Sequence, residues 1–229
     1  MLKFAKYAPY MPDIAPARPH ITAEERARAA AVPAEAVPFH CKPWLDGQSI
    51  GYTICYGYLS PITITSPAPD QLEVQGGEQA TRERQGNPIA QTFAQGHFGL
   101  GSGYTLQTPP GTVCLIVPAN NPPPHLQLVM GLVETSWYPK PLFLVYQLPP
   151  QGVAIALDYK MELARVLVIP QPQVEPAEQL SAEALLALET AANSYSAEEK
   201  QAKAWFDNRG QRFTHLYKTW SQRHKKPVS

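Results

Sequence analysis

Six histidines and three cysteines are the side chains of this sequence whose types most readily do chemistry. A mononuclear iron site needs two histidines and a carboxylate that converge, often with a His-x-Asp/Glu pair. The histidines are His20, His40, His97, His125, His215 and His224, and none has a carboxylate two residues on. His97, between Gly96 and Phe98, is the best single ligand candidate. His40, His125 and Glu134 meet only if the fold brings them together, so no metal and no other cofactor is expected. Cys41, Cys55 and Cys114 are odd in number and widely spaced, which is neither a disulfide framework nor a zinc pattern. They read as buried thiols in a reducing compartment. His40 directly precedes Cys41, but successive strand residues point to opposite faces, so the pair does not make a dyad. The glycine run Gly99–Gly103 lacks the Gly-Lys-Ser/Thr ending of a phosphate loop and precedes a strand pattern, so it predicts a turn or bulge.

The elements that must position these groups are mostly strands. Short apolar runs cut by Pro and Gly predict strands near 93–98, 103–107, 112–117, 127–133, 141–147, 152–156 and 163–169. Val37–Thr65 also reads as strands, with Asp46-Gly47 as a turn, and 66–91 as a hairpin tip or irregular loop. Residues 1–20 alternate aromatics, Met and Pro; they predict an extended arm packed on its own domain or on a neighbouring subunit. Thr22 with Glu24 and Glu25 predicts a capped helix over about 22–31. After Pro170 a linker leads to a helix capped by Ser181 and a second helix starting at Ser196, bent near Asn208-Arg209-Gly210. From Lys200 to the end there are eight Lys/Arg and one Asp, interleaved with Trp205, Phe213, Tyr217 and Trp220. Such a segment can hold nucleic acid. The reading adopted is an amphipathic helix docked on the β core, so nucleic acid is not expected as a partner.

Composition bounds the rest. Net charge is zero, which removes any global pull towards nucleic acid or an anionic membrane. Proline, 25 of 229 residues, is about twice its ordinary ~5% share and falls between apolar runs as turn punctuation. No stretch approaches the roughly 18 apolar residues of a membrane span, so a soluble, intracellular protein is expected, or a virion-associated one if phage-encoded.

The order of pieces over 109–170 resembles the trimeric deoxyuridine triphosphatases and their deoxycytidine triphosphate deaminase relatives. Pro109-Pro110-Gly111 opens a strand that ends at Pro118. Gly131-Leu132-Val133-Glu134 follows, with Trp137 and Tyr138 downstream, and Ala164–Pro170 closes the segment. The resemblance implies a β-clip barrel, trimers, a water-orienting acid at Glu134 and a sugar-stacking aromatic at Trp137 or Tyr138. The segment that should grip phosphate departs from the pattern. It reads Ala119-Asn120-Asn121-Pro122-Pro123-Pro124-His125, without Arg or Ser and with three prolines that have no N–H to offer. The family's Gly-rich C-terminal arm is replaced by the helical extension. The whole pattern, including GHFGLGSG and GLVETSW, is also similar to a family of bacterial and phage proteins without assigned activity.

These readings predict a mainly β protein: a β-clip, jelly-roll-like barrel or sandwich over 37–170, an arm and short helix over 1–36, and a linker with helices over 171–229. Function is expected to be non-catalytic: a self-associating binding or structural module, with assembly partners and with the trimer that the resemblance implies. The alternative is an enzyme acting on a nucleotide or another small molecule, with Glu134 as its acid and His97, His125, Trp137 and Tyr138 around the ligand.

Overall fold

The computed structural model describes residues 1–31, 37, 41–84, 86–173, 176–207 and 209–224. The chain forms two compact units. The first combines Met1–His20 with Gln48–Pro172, and the second combines Ile21–Gly47 with Gln173–Ser229. The 1–36 segment is thus divided between them, and 37–47 belongs with the second unit.

The first unit is antiparallel β. Its five-stranded sheet runs β10 (Gly131–Val133), β9 (Thr112–Pro118), β13 (Glu162–Pro170), β3 (Tyr52–Cys55), β2 (Ala15–Pro16). A three-stranded sheet runs β11 (Phe143–Gln147), β7 (His97–Gly101), β6 (Ala90–Ala94), and another runs β12 (Ala154–Leu157), β4 (Ile62–Thr65), β5 (Glu73–Gln75). β1 (Lys3–Lys6) pairs with β8 (Tyr104–Gln107). A short helix, α3 (Gly77–Glu83), sits between β5 and β6. The mainly β class expected from the spacing of apolar runs is observed.

Alternation decides which residues enter the core. In β4, Ile62 and Ile64 are buried and Thr63 and Thr65 are half-buried; in β11, Leu144 and Tyr146 are buried between half-buried Phe143 and Val145. Phe98 of β7 stands opposite Tyr146 of β11, and their rings stack with centroids 5.4 Å apart. Each such ring contributes on the order of 1.5–3 kcal/mol by leaving water. The phenols then need acceptors, and carbonyls supply them: Tyr146 donates to Leu163 O at 3.1 Å, Tyr104 to Pro12 O at 2.8 Å and Tyr58 to Gly101 O at 3.2 Å.

The N-terminal arm packs on its own unit. β1 and β2 add to existing strands, and Met11, 2% exposed, fills space left by Gly57 and Gly103. A side chain at either glycine would meet the Met11 thioether.

Several local expectations are corrected. Lys42–Ser49 is a helix, α2, so Asp46-Gly47 is not a strand turn; Pro43 lies in its first turn and Lys42 pairs with Asp46 one turn on. The 66–91 stretch holds β5, α3 and the start of β6. Gly99 and Gly101 lie inside β7 rather than in a turn. A Cβ at Gly99 would run into the Phe143 ring and one at Gly101 into the Arg84 guanidinium, so both glycines serve close approach. The left-handed glycines here are Gly96, φ 70°, before β7 and Gly103, φ 79°, between β7 and β8, so the expected turn falls at the last residue of the glycine run.

The second unit holds α1 (Ala23–Ala31), α4 (Ala182–Gln201), a hairpin of β14 (Ala204–Phe206) and β15 (Arg212–Thr214), and α5 (Leu216–Arg223). The cap of α1 is reciprocal: Glu25 N donates to Thr22 Oγ1 at 3.0 Å and Thr22 N to Glu25 Oε2 at 2.8 Å. Ser181 caps α4 as expected, accepting from Ala184 N at 3.1 Å. A new helix does not begin at Ser196, because α4 runs through it without a Pro or Gly to stop it. What read as the rest of that helix is the β14–β15 hairpin followed by α5.

Candidate functional site

Glu134 follows β10 in a tight turn. Trp137 N and Tyr138 N both donate to Glu134 O, at 3.2 and 3.1 Å. Thr135 anchors the turn from below: it is 4% exposed, and its hydroxyl meets Thr108 Oγ1 at 2.9 Å and Cys114 Sγ at 3.3 Å. The Glu134 carboxylate is committed locally. Trp137 Nε1 donates to Oε2, and Gln171 Nε2 lies 3.4 Å from Oε1. The Trp137 ring is 67% exposed and meets Tyr138 edge-on at 5.9 Å. Both rings line a cleft of about 380 Å³, with Phe4, Thr105, Gln107 and Ser136 on its other walls.

His97 lies in β7 opposite Gln147. Its Nδ1 is 2.6 Å from Gln95 O, and since a carbonyl only accepts, this nitrogen donates. His125 is exposed, with a left-handed φ of 65°. Gln147 N bonds Gln127 O at 3.0 Å, so β11 lies between the His97 strand and the segment that carries His125. Two strand spacings put these main chains about 10 Å apart.

Glu134 lies elsewhere. Val133 stands opposite Cys114, whereas the segment leading to His125 begins after Pro118, roughly 13 Å further along β9. Among the described residues no hydrogen bond joins Glu134 to either histidine, and no three His, Cys, Asp or Glu side chains gather as metal ligands. His40 lies outside the described residues. The structure therefore brings Glu134, Trp137 and Tyr138 together and leaves His97 and His125 apart from them.

The Ala119–His125 segment is held by its own unit. Asn120 Nδ2 donates to Arg18 O at 2.8 Å and Gln48 O at 2.7 Å, while Asn121 N donates to Glu162 Oε2 at 3.1 Å. A neighbouring cleft of about 440 Å³ contains Lys160, but Glu162 lines it too and already occupies that backbone donor. A carboxylate in this position repels an incoming phosphate.

The thiols differ from the expectation that all three are buried. Cys41 is exposed, Cys55 half-buried and Cys114 buried. Burial pushes Cys55 up to about 11, helped by the Glu162 charge, and pushes Cys114 up as well. Both are therefore poor sources of thiolate.

One polar cluster was invisible in the sequence. Glu83, at the end of α3, accepts from Tyr10 OH at 2.8 Å, Leu59 N at 3.0 Å, Ser60 N at 3.2 Å and the Ser60 hydroxyl. Burial pushes its carboxyl up, but these donors outweigh it and hold it below its ordinary value. Tyr10 is pushed up to about 12 by burial and by its bond to Glu83. Next to it Arg84, 6% exposed, donates to Pro88 O and lies over the Tyr7 ring at 5.8 Å. No local motif marks this pair; it depends on Tyr10 and Ser60 arriving from distant parts of the chain.

No protein-family model and no curated protein sequence matches the chain. Among solved structures it is similar to the dUTPase from phage phi11 of S. aureus, with 11% identity over 80% of this chain and 99% of that one, at a TM-score of 0.40. It is similar in the same way to the Staphylococcus bacteriophage 80alpha dUTPase, with 10% identity over 80% and 99% of the two chains and a TM-score of 0.40. A likeness this loose in sequence and shape says nothing about what this chain binds.

Proposed function

We propose that the protein is a self-associating, non-catalytic binding module, and that β10 with the turn after it is its contact surface. The observation that carries this reading is a group of exposed apolar side chains on β10 and the residues on either side of it. Val129 is 37% exposed, Met130 66%, Leu132 47%, Trp137 67% and Tyr138 38%. Among the described residues β10 ends the five-stranded sheet, so its outer N–H and C=O groups have no strand beside them. Exposed apolar side chains gathered around a sheet edge mark an association surface. The Glu162 carboxylate, which holds Asn121 N and repels an incoming phosphate beside the Ala119–His125 segment, supports the non-catalytic part.

Sedimentation of the whole protein tests this. Wild type is expected to sediment as an oligomer and Leu132→Lys as a lighter species. A wild-type monomer at every concentration would overturn the reading. Release of pyrophosphate from a deoxynucleoside triphosphate that Glu134→Gln abolishes would overturn its non-catalytic part.

A further inference from the structure

The second unit contains a cleft of about 310 Å³ that plays no part in the reading above. Its wall is aromatic. Trp205 of β14 and Phe213 of β15 are a cross-strand pair, stacked 4.6 Å apart with 19° between their planes. Tyr217, in the first turn of α5, adds a third ring; Lys218 beside it and Lys42 at the start of α2 supply ammonium groups, and Cys41 lies at the rim.

The wall is held in place by bonds within the unit. The hairpin turn is fixed by Asp207 Oδ1, which accepts from Arg209 N at 2.9 Å and Gln211 N at 2.7 Å, and by Gly210 at φ 78°. Arg212 Nη2 donates to the last carbonyls of α4, at 2.7 Å to Glu199 O and 3.0 Å to Ala202 O, where a cation suits the helix dipole. Trp220 Nε1 and Arg223 both bond Glu198, which ties α5 to α4.

Charge decides the ligand class. An aromatic wall alone would also attract a cation. Among the described residues no carboxylate lines the cleft. Lys42 is neutralised by Asp46, but Lys218 has no ion-pair partner among the described residues. The volume is at the small end of the ~300–1,000 Å³ of small-molecule sites, enough for one or two fused rings. We propose that this cleft is a binding site for a small planar aromatic acid, with its ring against Trp205, Phe213 and Tyr217 and its anion on Lys218.

The test uses the folded full chain and 2-naphthoate, with the neutral 2-naphthylmethanol as control. Bound naphthoate is expected to slow alkylation of Cys41 by iodoacetamide several-fold and to quench tryptophan emission. The neutral alcohol, and naphthoate on Lys218→Glu, are each expected to bind about tenfold more weakly, the loss of one charge-assisted contact. Buried Cys114 serves as a fold reporter and stays unreactive in every arm. Absence of Cys41 protection, equal affinity for acid and alcohol, or full affinity in Lys218→Glu with Cys114 still protected would each overturn the proposal.

Discussion

Glu83 shows how a single side chain can tie distant segments together. Its four donors come from Tyr10, Leu59 and Ser60, so the N-terminal arm and the β3–β4 connection both end on one carboxylate. Because its folded pKa lies below the ordinary value of about 4.3, its contribution is complete above that value and is lost as pH falls through the folded one. Wild type should therefore lose melting temperature more steeply than Glu83→Gln between about pH 5 and pH 3. Parallel melting curves through that range would show that the bonds do not favour the ionised form. The same scale limits what sequence can show. Glu134, Trp137 and Tyr138 were singled out by the resemblance, and they meet in one turn because they are close in sequence. His97 and His125 could not be placed, because the strand between them, β11, comes later in the chain than either.

Elements with apolar runs bounded by turn residues were legible, down to the four-residue β8 and β12, but the three-residue strands of the C-terminal hairpin were not. The runs at 112–117 and 163–169 became Thr112–Pro118 and Glu162–Pro170, since a buried strand bounded by Gly or Pro has few alternatives. The three-residue strands β14 and β15 were read as helix, because three residues cannot distinguish period 2 from 3.6. Glycine in β7 misled for a different reason: Gly99 is there to admit the Phe143 ring from the neighbouring strand. Gly99→Ala should cost about 1–3 kcal/mol by overpacking. The added change Phe143→Leu should recover part of that loss, which a double-mutant cycle by chemical denaturation would measure. Additive losses would mean that the two positions do not share the space. Removing the arm's anchor is a second test at this scale. Met11→Ala leaves a cavity against Gly57 and Gly103 and should cost about 2–5 kcal/mol in the same assay.

At the scale of the whole molecule, the mainly β first unit is built from small antiparallel sheets around one core, and its longest sheet ends on β10. No helix is long and apolar enough to cross a membrane among the described residues. In the proposed reading, the exposed apolar groups from Val129 to Tyr138 are the surface that association covers. Self-association was expected from the resemblance and from the terminal arms; in the proposed reading β10 is where it would occur. The most direct measurement is amide hydrogen exchange of residues 129–138 at low and high protein concentration. The account predicts that protection there rises with concentration while Phe98 and Leu144 in the core stay equally protected. Identical exchange of 129–138 at both concentrations would contradict it.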